Sequence, residues 1–472
     1  MRQGTPRSNL TGKLVMLGFG CIGQAILPLL FRHLGVKPSR VKIVKTSEDR
    51  SGIATELGVE VIANAIDEGN CESLLAPMLE EGDFLLNLSV EVSSLALIEL
   101  CHRRGALYLD TCNEPWRGRY DNPSLPPSQR SNYALREEIL AFRLHHHSGP
   151  TAVVTQGANP GLVSLLLKQA LLNMAANARL GAPTPGRGEE WAELARRLNI
   201  KVIHVAERDT QICERRKNRD EFVNTWSTDA FIDEGLQPAE LGWGSHEKNW
   251  PGGASHHGFG CDAAIYLNRP GFGTRVRSWT PLEGPYHGFL VTHAEAISIA
   301  DHLTLRENGA IAYRPTVLYA YHPCDDAVLS LDEMAGKNWK PQQQRRILRD
   351  EISSGIDELG VLLMGNAKGA YWYGSRLSIE QARERAPYNN ATSLQVAAGI
   401  LGGMVWALRH PDAGLVEPDD IDHETVLKAA TPYLGELIGV YGDWTPLQGR
   451  SPLFGEEVDR DDPWQFVNFR VS

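Results

Sequence analysis

The sequence predicts an α/β protein in which a doubly wound parallel sheet is followed by a second α+β domain with a mixed sheet. Three observations support this fold class. Short apolar segments alternate with helix-like segments over the first 110 residues, a glycine-rich turn follows the first apolar segment, and after about residue 150 short β-like segments are separated by Gly and Pro. Regular alternation of strand and helix is typical of right-handed βαβ units in an open parallel sheet.

The first domain is expected to contain five strands connected by helices. The strands are predicted at 14–17, 40–44, 58–62, 84–89 and 106–110. Each contains a short apolar run, as expected for strands that are covered on both faces of a parallel sheet. We therefore expect a Rossmann-type domain that spans 1–150.

The length of 472 residues indicates more than one hydrophobic core. A second domain with a mixed or antiparallel sheet is predicted for 151–390, beginning with a strand in "TAVVTQGANPG" and a helix in "LVSLLLKQALLNMAANA". A C-terminal helical segment, 391–472, is expected to pack on both domains. Its long apolar helix at 393–408 contains several small residues, which indicates close packing, and is a candidate to complete the first domain.

Composition argues against several classes of partner. The net charge is −11, with 58 Asp and Glu against 47 Lys and Arg, which disfavours nucleic acid. No apolar run reaches the roughly 18–20 residues of a membrane span, and the polar N-terminal segment lacks the apolar core of a signal peptide, so a cytoplasmic protein is expected. The seven cysteines form no C-x-x-C pair, and the adjacent histidines at 145–147 and 256–257 lack ligand spacing, so neither disulfides nor a metal site is expected.

The glycine-rich turn supports the first functional prediction. Gly18, Gly20 and Gly23 form a G-x-G-x-x-G pattern that follows a predicted strand and opens a predicted helix. This context indicates dinucleotide binding, because the three glycines permit a tight turn, a close approach of the pyrophosphate and close packing of helix on strand. Cys21 and Ile22, at the helix N-terminus that faces the phosphate charge, are also expected to bind the cofactor.

Polar residues at two further strand ends are expected to line the same crevice, because ligands bind outside the carboxyl ends of parallel strands. The cofactor candidates from these two segments are Asn87, Ser89, Asp110 and Thr111. Glu114 follows them and is expected to face the reactive part of the site. Asn159, in "GANPG" at the domain junction, is expected to bond the nicotinamide or the substrate.

The end of the second strand leaves the choice between NAD and NADP open. The acid that reads the ribose is expected about 20 residues after the last glycine. Lys45 and Thr46 lie near this place, while Glu48 and Asp49 follow slightly late. A lysine here favours a 2′-phosphate, so the stretch does not exclude NADP, although we prefer NAD.

An acidic and aromatic stretch in the second half suggests a site for a cationic substrate. In "NTWSTDAFIDEG" (224–235), a tryptophan stands among acids without a Lys or Arg. An amine that is oxidised by a dinucleotide must be held as an ammonium, for which carboxylates are suited, and then deprotonated by a base or a linked water. A tryptophan face over the cation adds roughly 0.5–2 kcal/mol. The candidates are Glu207, Trp226, Asp229, Asp233, Glu234 and His293.

Five motifs, in this order and spacing, resemble the bacterial homospermidine synthases of the saccharopine-dehydrogenase-like superfamily. They are "LVMLGFGCIGQ", "LYLDTCNEPW", "TQGANPGLVS", "NTWSTDAFIDEG" and "GFLVTHAEAIS". The resemblance covers nearly the whole chain and implies a redox-neutral aminobutyl transfer. A putrescine is oxidised by bound NAD to an imine, a second putrescine attacks, ammonia leaves, and the new Schiff base is reduced by the same NADH to give homospermidine. Spermidine is an alternative aminobutyl donor in the family.

The resemblance also implies roles for individual residues. Trp226 matches the family's cation-holding tryptophan, with Glu234 as the acid beside it. Glu207 matches a carboxylate that holds an amino end of the substrate. Asn159 and His293 match polar residues near the reacting amine.

Further family features are implied in the same way. Glu114 matches an acid at the entrance of the pocket, and a further pocket acid in "GIDELG" is either Asp357 or Glu358. The family implies NAD bound as a prosthetic group, diamine substrates, and a homodimer with its interface in the mixed sheet of the second, substrate-binding domain.

Two other functions remain as alternatives. A saccharopine-reductase-like or carboxynorspermidine-synthase-like reductive enzyme would bind an α-carboxylate and would need an arginine clamp, for which Arg215, Arg216 and Arg219 are candidates. A non-catalytic NAD-binding sensor would bind NAD without turnover of any diamine.

Overall fold

The computed structural model describes residues 9–47, 52–120, 122–181, 183–451, 453 and 455–471. The chain divides into two units, each made of several stretches of sequence. The first unit consists of Met1–Leu162, Thr225–Ser227 and Ile379–Gly435. The second unit consists of Val163–Asn224, Thr228–Ser378 and Glu436–Ser472.

A parallel sheet with seven strands in the described part of the chain forms the centre of the first unit, which confirms the predicted fold class. The strands, β1 to β7, are Leu14–Leu17, Val41–Lys45, Glu60–Ala63, Phe84–Asn87, Leu107–Asp110, Gly149–Val153 and Ala413–Val416. Their spatial order is β7-β6-β5-β4-β1-β2-β3, and all neighbours are parallel. The order reverses between β1 and β4, so ligand binding is expected outside their carboxyl ends.

Two strands of this sheet differ from the prediction. The sequence predicts β6 as the opening strand of the second domain, whereas β6 pairs with β5 through Tyr108–Ala152 and Leu109–Val153. β7 is missed because it is a four-residue run that contains Gly414 at φ 69°, and because its partner β6 lies far back in the sequence.

The helices of the first unit have bounds close to those predicted where the apolar pattern is strong. They are Cys21–Leu34, Ile53–Glu56, Cys71–Leu75, Ser94–Arg104, Asn132–His145, Ile379–Arg385, Ala391–Arg409 and His423–Ala430, with 3-10 turns at Pro38–Arg40, Ala76–Met78, Pro127–Gln129, Pro418–Asp420 and Thr431–Tyr433.

The long apolar helix Ala391–Arg409 lies in the first unit and is closely packed there. A capping box between Asn390 and Ser393 begins it. A Cβ added at Gly399 would lie 1.9 Å from the Gly157 carbonyl oxygen, so glycine is required at this contact. The helix is long and apolar enough to cross a membrane by length and composition alone, but 89% of its apolar window is buried inside the protein, as in the core helix of a globular unit.

A mixed sheet forms the centre of the second unit, as the sequence predicts. Its strands within the described residues are Val202–Asp209, Pro238–Gly242, Ala254–His256, Ala264–Pro270, Arg275–Thr280, Gly284–Leu290, Thr316–His322, Ile356–Asn366, Gly369–Ser378, Glu436–Gly442 and Arg470–Val471. Val202–Asp209 is a central strand, parallel to Thr316–His322 and antiparallel to Ile356–Asn366.

Smaller elements complete the second unit. Its two-stranded pairs are Leu305–Glu307 with Ala310–Tyr313, Gln344–Ile347 with Glu221–Asn224, and Ile352–Ser354 with Ile212–Cys213. The remaining helices are Leu162–Asn177, Gly188–Arg197, Thr228–Leu236, Ala294–His302, Asp325–Gly336 and Phe466–Phe469, with a 3-10 turn at Gly271–Gly273.

The limits of the two units differ from the predicted domain limits at 150 and 390. The first unit extends to Leu162 and includes Ile379–Gly435, while Glu436–Ser472 belongs to the second. The segment that the sequence predicts as helical also contains the strands Ala413–Val416 and Glu436–Gly442, because each completes a sheet whose other strands come earlier in the chain. The functional assignment of the domains stays a prediction.

Gly399→Ala is expected to lower the free energy of unfolding by roughly 1–3 kcal/mol, because the new methyl group overlaps the backbone at Gly157. Urea unfolding followed by circular dichroism measures the change. Gly336→Ala is the matched control, since a Cβ at Gly336 would meet no atom within 4 Å. Equal effects of the two variants would contradict the close-packing interpretation.

Candidate functional site

The glycine turn lies between β1 and the helix Cys21–Leu34. Gly18 has a φ of 82°, and a Cβ there would lie 2.5 Å from the Leu88 carbonyl oxygen, so the turn requires glycine. A Cβ at Gly23 would lie 3.0 Å from the Gly18 carbonyl oxygen. Gly18 and Gly23 therefore allow the tight turn and the close packing of helix on strand that the motif predicts.

Gly20 differs from both, because it is exposed and a Cβ there would meet no atom within 4 Å. No side chain among the described residues caps the helix that follows. The first N–H groups of this helix and its positive end are thus suited to an anionic group such as a pyrophosphate. Cys21 is buried and Ile22 is half-buried, so their backbone is the part best placed to contribute.

Asn87, Ser89 and Asp110 belong to one hydrogen-bonded network at the carboxyl ends of β4 and β5. Asn87 Oδ1 accepts from Ser89 N (3.1 Å) and Ser89 Oγ (2.5 Å), and Asn87 Nδ2 donates to Tyr108 Oη at 3.3 Å. Tyr108 Oη donates to Asp110 Oδ2 at 2.7 Å, and Thr155 N donates to Asp110 Oδ1 at 2.6 Å. Burial raises the pKa of Asp110 to about 6, against the effect of these hydrogen bonds. Asp110 therefore connects the end of β5 to the chain just after β6. Its contact with a cofactor stays a prediction.

Glu114 and Thr111 follow β5. The Glu114 carboxylate accepts hydrogen bonds from Glu91 N at 3.1 Å and from the Cys112 thiol at 3.3 Å. These two bonds fix the orientation of the Glu114 side chain. Glu114 also lines a cavity of about 530 Å³ in the first unit, together with Trp116. Thr111 is half-buried. The predicted roles of Glu114 and Thr111 stay predictions.

Asn159 and Trp226 are half-buried residues of the first unit. Asn159 lies in a loop that is closed by a hydrogen bond from Gly157 N to Pro160 O at 2.8 Å. Next to Trp226, the Thr225 carbonyl accepts from Asn390 Nδ2 at 2.6 Å. The start of the helix Ala391–Arg409 thus fixes the backbone beside the tryptophan.

One face of the mixed sheet in the second unit carries a group of buried acids. Side chains alternate between the faces of a strand, and the register pairs Asp209 with Asp357. Glu207 therefore lies on the same face as Asp357. Gly242 pairs with Val317 in antiparallel register, which brings Glu240 opposite Tyr319 on this face. We call this surface, with Glu207, Asp209, Glu240 and Asp357, the acidic face; each of these acids is at most 2% exposed.

The register also distinguishes the two acids that the sequence leaves open. Glu358 pairs with Arg208 and points away from the acidic face. Its carboxylate accepts from Leu282 N at 3.1 Å and lies 3.7 Å from the Arg376 guanidinium, and burial raises its pKa. Asp357 is therefore the acid that shares a face with Glu207.

His293 lies between two carboxylates beside this face. Its Nε2 is 3.1 Å from Glu234 Oε2, and its Nδ1 is 3.2 Å from Glu295 Oε1. The centre of the imidazole ring also lies 4.4 Å from that of the Tyr319 ring, with the two rings tilted by 37°. Burial opposes a charged imidazole, but the Glu295 and Glu234 charges and hydrogen bonds prevail and raise the pKa of His293 to about 10. His293 is therefore an imidazolium at neutral pH.

Two further contacts involve acids of the acidic face. Glu207 Oε2 accepts from Tyr319 Oη at 2.5 Å. Glu240 Oε2 accepts from Thr292 Oγ1 at 2.7 Å, and Glu240 Oε1 is 3.1 Å from His257 Nε2. The structure thus brings together Glu207, Glu234 and His293 of the sequence candidates within the second unit.

Sequence reasoning missed four residues of this cluster: Glu240, Thr292, Glu295 and Tyr319. A signal existed for Glu295, since it stands two residues after His293 in the first turn of the helix Ala294–His302. Glu240 and Tyr319 lie in strands that reach this face only through sheet pairing, which no local pattern reveals.

Other candidates lie elsewhere. Asp229 is exposed and pairs with Arg345 at 3.1 Å, and Asp233 is half-buried. The proposed carboxylate clamp is not assembled, because Arg215 and Arg216 are exposed and pair with Glu221 and Asp326, and Arg219 is exposed. Among the described residues, no group of three His, Cys, Asp or Glu is arranged to hold a metal ion. Glu48 and Asp49 lie outside the described residues.

His293 is expected to remain protonated up to about pH 9 in the free protein. Its pKa is raised above the ordinary 6.5, so the stability that its charge provides is complete below pH 6.5 and is lost as the pH rises towards 10. ¹⁵N-histidine NMR measures the titration, with His293→Gln to assign the signal. His204 is the internal control, since burial lowers its pKa to about 3 and it should stay neutral from pH 5 to 9. Titration of His293 near pH 6.5 would contradict the assignment.

Comparisons with known proteins agree with the motifs. Residues 14–153 match the saccharopine dehydrogenase NADP binding domain, and residues 157–443 match the saccharopine dehydrogenase C-terminal domain. A homospermidine synthase from Blastochloris viridis is 53% identical over 98% of both chains, and one from Mesorhizobium japonicum is 49% identical over 98% of this chain and 97% of its own. The crystal structure of a homospermidine synthase from Legionella pneumophila in complex with NAD has 50% identity and a TM-score of 0.94, covering 99% of this chain and 100% of that one. The chain therefore belongs to the homospermidine synthase family.

Proposed function

We propose that the protein transfers an aminobutyl group between two putrescines, giving homospermidine and ammonia. Spermidine is an alternative donor. One C–N bond breaks and one forms, so two diamines give one triamine and one ammonia without net oxidation. The observation that carries the proposal is the buried acidic face beside His293 in a chain of this family.

The charge of this face fits a diamine. Glu207 and Glu240 are at most 2% exposed, and Glu234 is close by with its side chain 17% exposed. Charges attract one another strongly where water is excluded, so a buried face that carries several carboxylates is suited to an ammonium group. We assign Glu207 and Glu234 to binding the amino groups of the substrate.

NAD fits the glycine turn, where Gly20 leaves space and the helix N-terminus offers N–H groups. Bound NAD would supply the hydride acceptor for the amine-bearing carbon and the hydride donor for the later Schiff base, so it would act as a prosthetic group. Asn87 and Ser89 hold the strand end beside the turn, and Asn159 is assigned to the reacting end of the site. We prefer NAD to NADP because a family member binds NAD.

The charge of His293 changes the role that the sequence suggests for it. A protonated imidazole cannot take a proton from an amine, but it can give one to departing ammonia. Glu234, 3.1 Å from Nε2, is placed to return that proton. We therefore assign His293 as an acid and Glu234 as the group that accepts the proton from the incoming amine.

The reductive alternative is less well supported. An α-carboxylate needs a cationic clamp. Arg208, a buried arginine near the sheet, lies on the opposite face from Glu207 and contacts Glu283 and Asp325. A carboxylate on the acidic face would therefore meet like charge.

Incubation with putrescine and NAD tests the function. Mass spectrometry should find homospermidine and ammonia in equal amounts, while absorbance at 340 nm should show no NADH accumulating in proportion to product. NADH that rises with product would contradict the redox-neutral reaction. NAD binding without turnover of putrescine or spermidine would support the sensor alternative. Mass spectrometry of cofactor released from the native protein distinguishes NAD from NADP.

Trp226 is proposed to hold the substrate cation against its ring. Trp226→Ala should lower kcat/KM for putrescine by about three- to thirtyfold, the equivalent of roughly 0.5–2 kcal/mol. Trp226→Phe, which keeps a ring, should lose less. NAD affinity and the urea midpoint should be unchanged in both. Unchanged kcat/KM in Trp226→Ala would refute the role, and a lower urea midpoint would indicate a core residue instead.

The remaining partner assignments rest on the resemblance. We propose a cytoplasmic homodimer whose interface involves the mixed sheet, without nucleic acid or membrane as partner.

A further inference from the structure

Glu240 is a buried acid to which the proposed reaction assigns no role. It lies on the strand Pro238–Gly242 and is 0% exposed. Its two carboxylate oxygens face different partners, Thr292 Oγ1 at 2.7 Å and His257 Nε2 at 3.1 Å. Burying a carboxylate is unfavourable unless it accepts hydrogen bonds, so the hydrogen bond from Thr292 holds the group in place.

Thr292 connects this acid to the site. It is fully buried and directly precedes His293, whose extended backbone (φ −146°, ψ 145°) begins the helix Ala294–His302. A hydroxyl that is held by Glu240 fixes the chain at Thr292. The Thr292 hydroxyl thereby fixes the orientation of the His293 side chain between Glu234 and Glu295.

We propose that Glu240, acting through Thr292, is a positioning residue for His293. The inference rests on the proposed function, in which His293 gives a proton to departing ammonia. Glu240 touches neither substrate nor cofactor in this role. His257 Nε2 lies 3.1 Å from the other oxygen of Glu240, and the hydrogen-bonded connection runs from Glu240 to Thr292, the residue before His293.

A pair of Thr292 variants tests the proposal. Thr292→Val keeps the size of the side chain and removes the hydroxyl, whereas Thr292→Ser keeps the hydroxyl. Because a small misplacement of a reacting group costs up to about 10²-fold in rate, Thr292→Val should lower kcat at least tenfold, with KM for putrescine changed less than about threefold. Thr292→Ser should keep most of the wild-type kcat. The NMR titration of His293 should move to lower pH in Thr292→Val only.

Glu247→Gln is the matched control, because Glu247 is another buried acid of the second unit that accepts from a threonine hydroxyl, Thr316 Oγ1 at 2.6 Å. It should leave kcat and the His293 titration unchanged. Equal losses in the two Thr292 variants, a normal kcat in Thr292→Val, or the same loss in Glu247→Gln would overturn the proposal.

Two further results separate the possible failures. If Thr292→Val does not fold, Glu240→Gln is measured instead, by kcat and by the NMR titration of His293. A lower kcat with a His293 titration at lower pH supports the positioning role, and unchanged values overturn the proposal. A wild-type protein that makes no homospermidine refutes the proposed function instead.

Discussion

The interaction of His293 with Glu234 and Glu295 is the constraint on which the acidic site depends. Several carboxylates that lie near one another repel, and a cation between them lowers this repulsion. The imidazolium removes part of this repulsion and is itself kept charged by its neighbours. In the proposed function, the carboxylates of the acidic face favour an ammonium group over a neutral or anionic ligand.

In the proposed function, the first unit binds an anionic group, the pyrophosphate of NAD. Gly18 and Gly23 allow a turn that brings backbone N–H groups to the carboxyl edge of the sheet, and Gly20 leaves space there. Behind this turn, Asp110 connects β5 to the chain at Thr155. In the proposed function, backbone dipoles of the first unit bind the phosphates, and carboxylates of the second unit bind the amine.

The parallel strands were predictable where an apolar run is buried on both faces, as in Leu14–Leu17 and Phe84–Asn87. Ala413–Val416 was not, since four residues with a glycine give no pattern before their distant partner is known. The site was predictable in part. Glu207, Glu234 and His293 follow from residue type and from the family motifs, whereas Glu240 depends on strand register. The charge of His293 was not predictable, because an isolated histidine near pKa 6.5 suggests a base.

The division of the chain has a consequence for how the protein can be altered. The polypeptide passes between the two units five times, at 162/163, 224/225, 227/228, 378/379 and 435/436. A fragment that ends at residue 150 would lack the edge strand Ala413–Val416 and the helix Ala391–Arg409 that packs on the loop at Gly157. Neither unit can be produced as a continuous piece of sequence, so recombination between relatives must exchange several segments together. The segment Thr225–Ser227, which contains Trp226, would have to be exchanged together with the helix Ala391–Arg409. The reason is that Asn390, at the start of this helix, donates a hydrogen bond to Thr225 from more than 160 positions away.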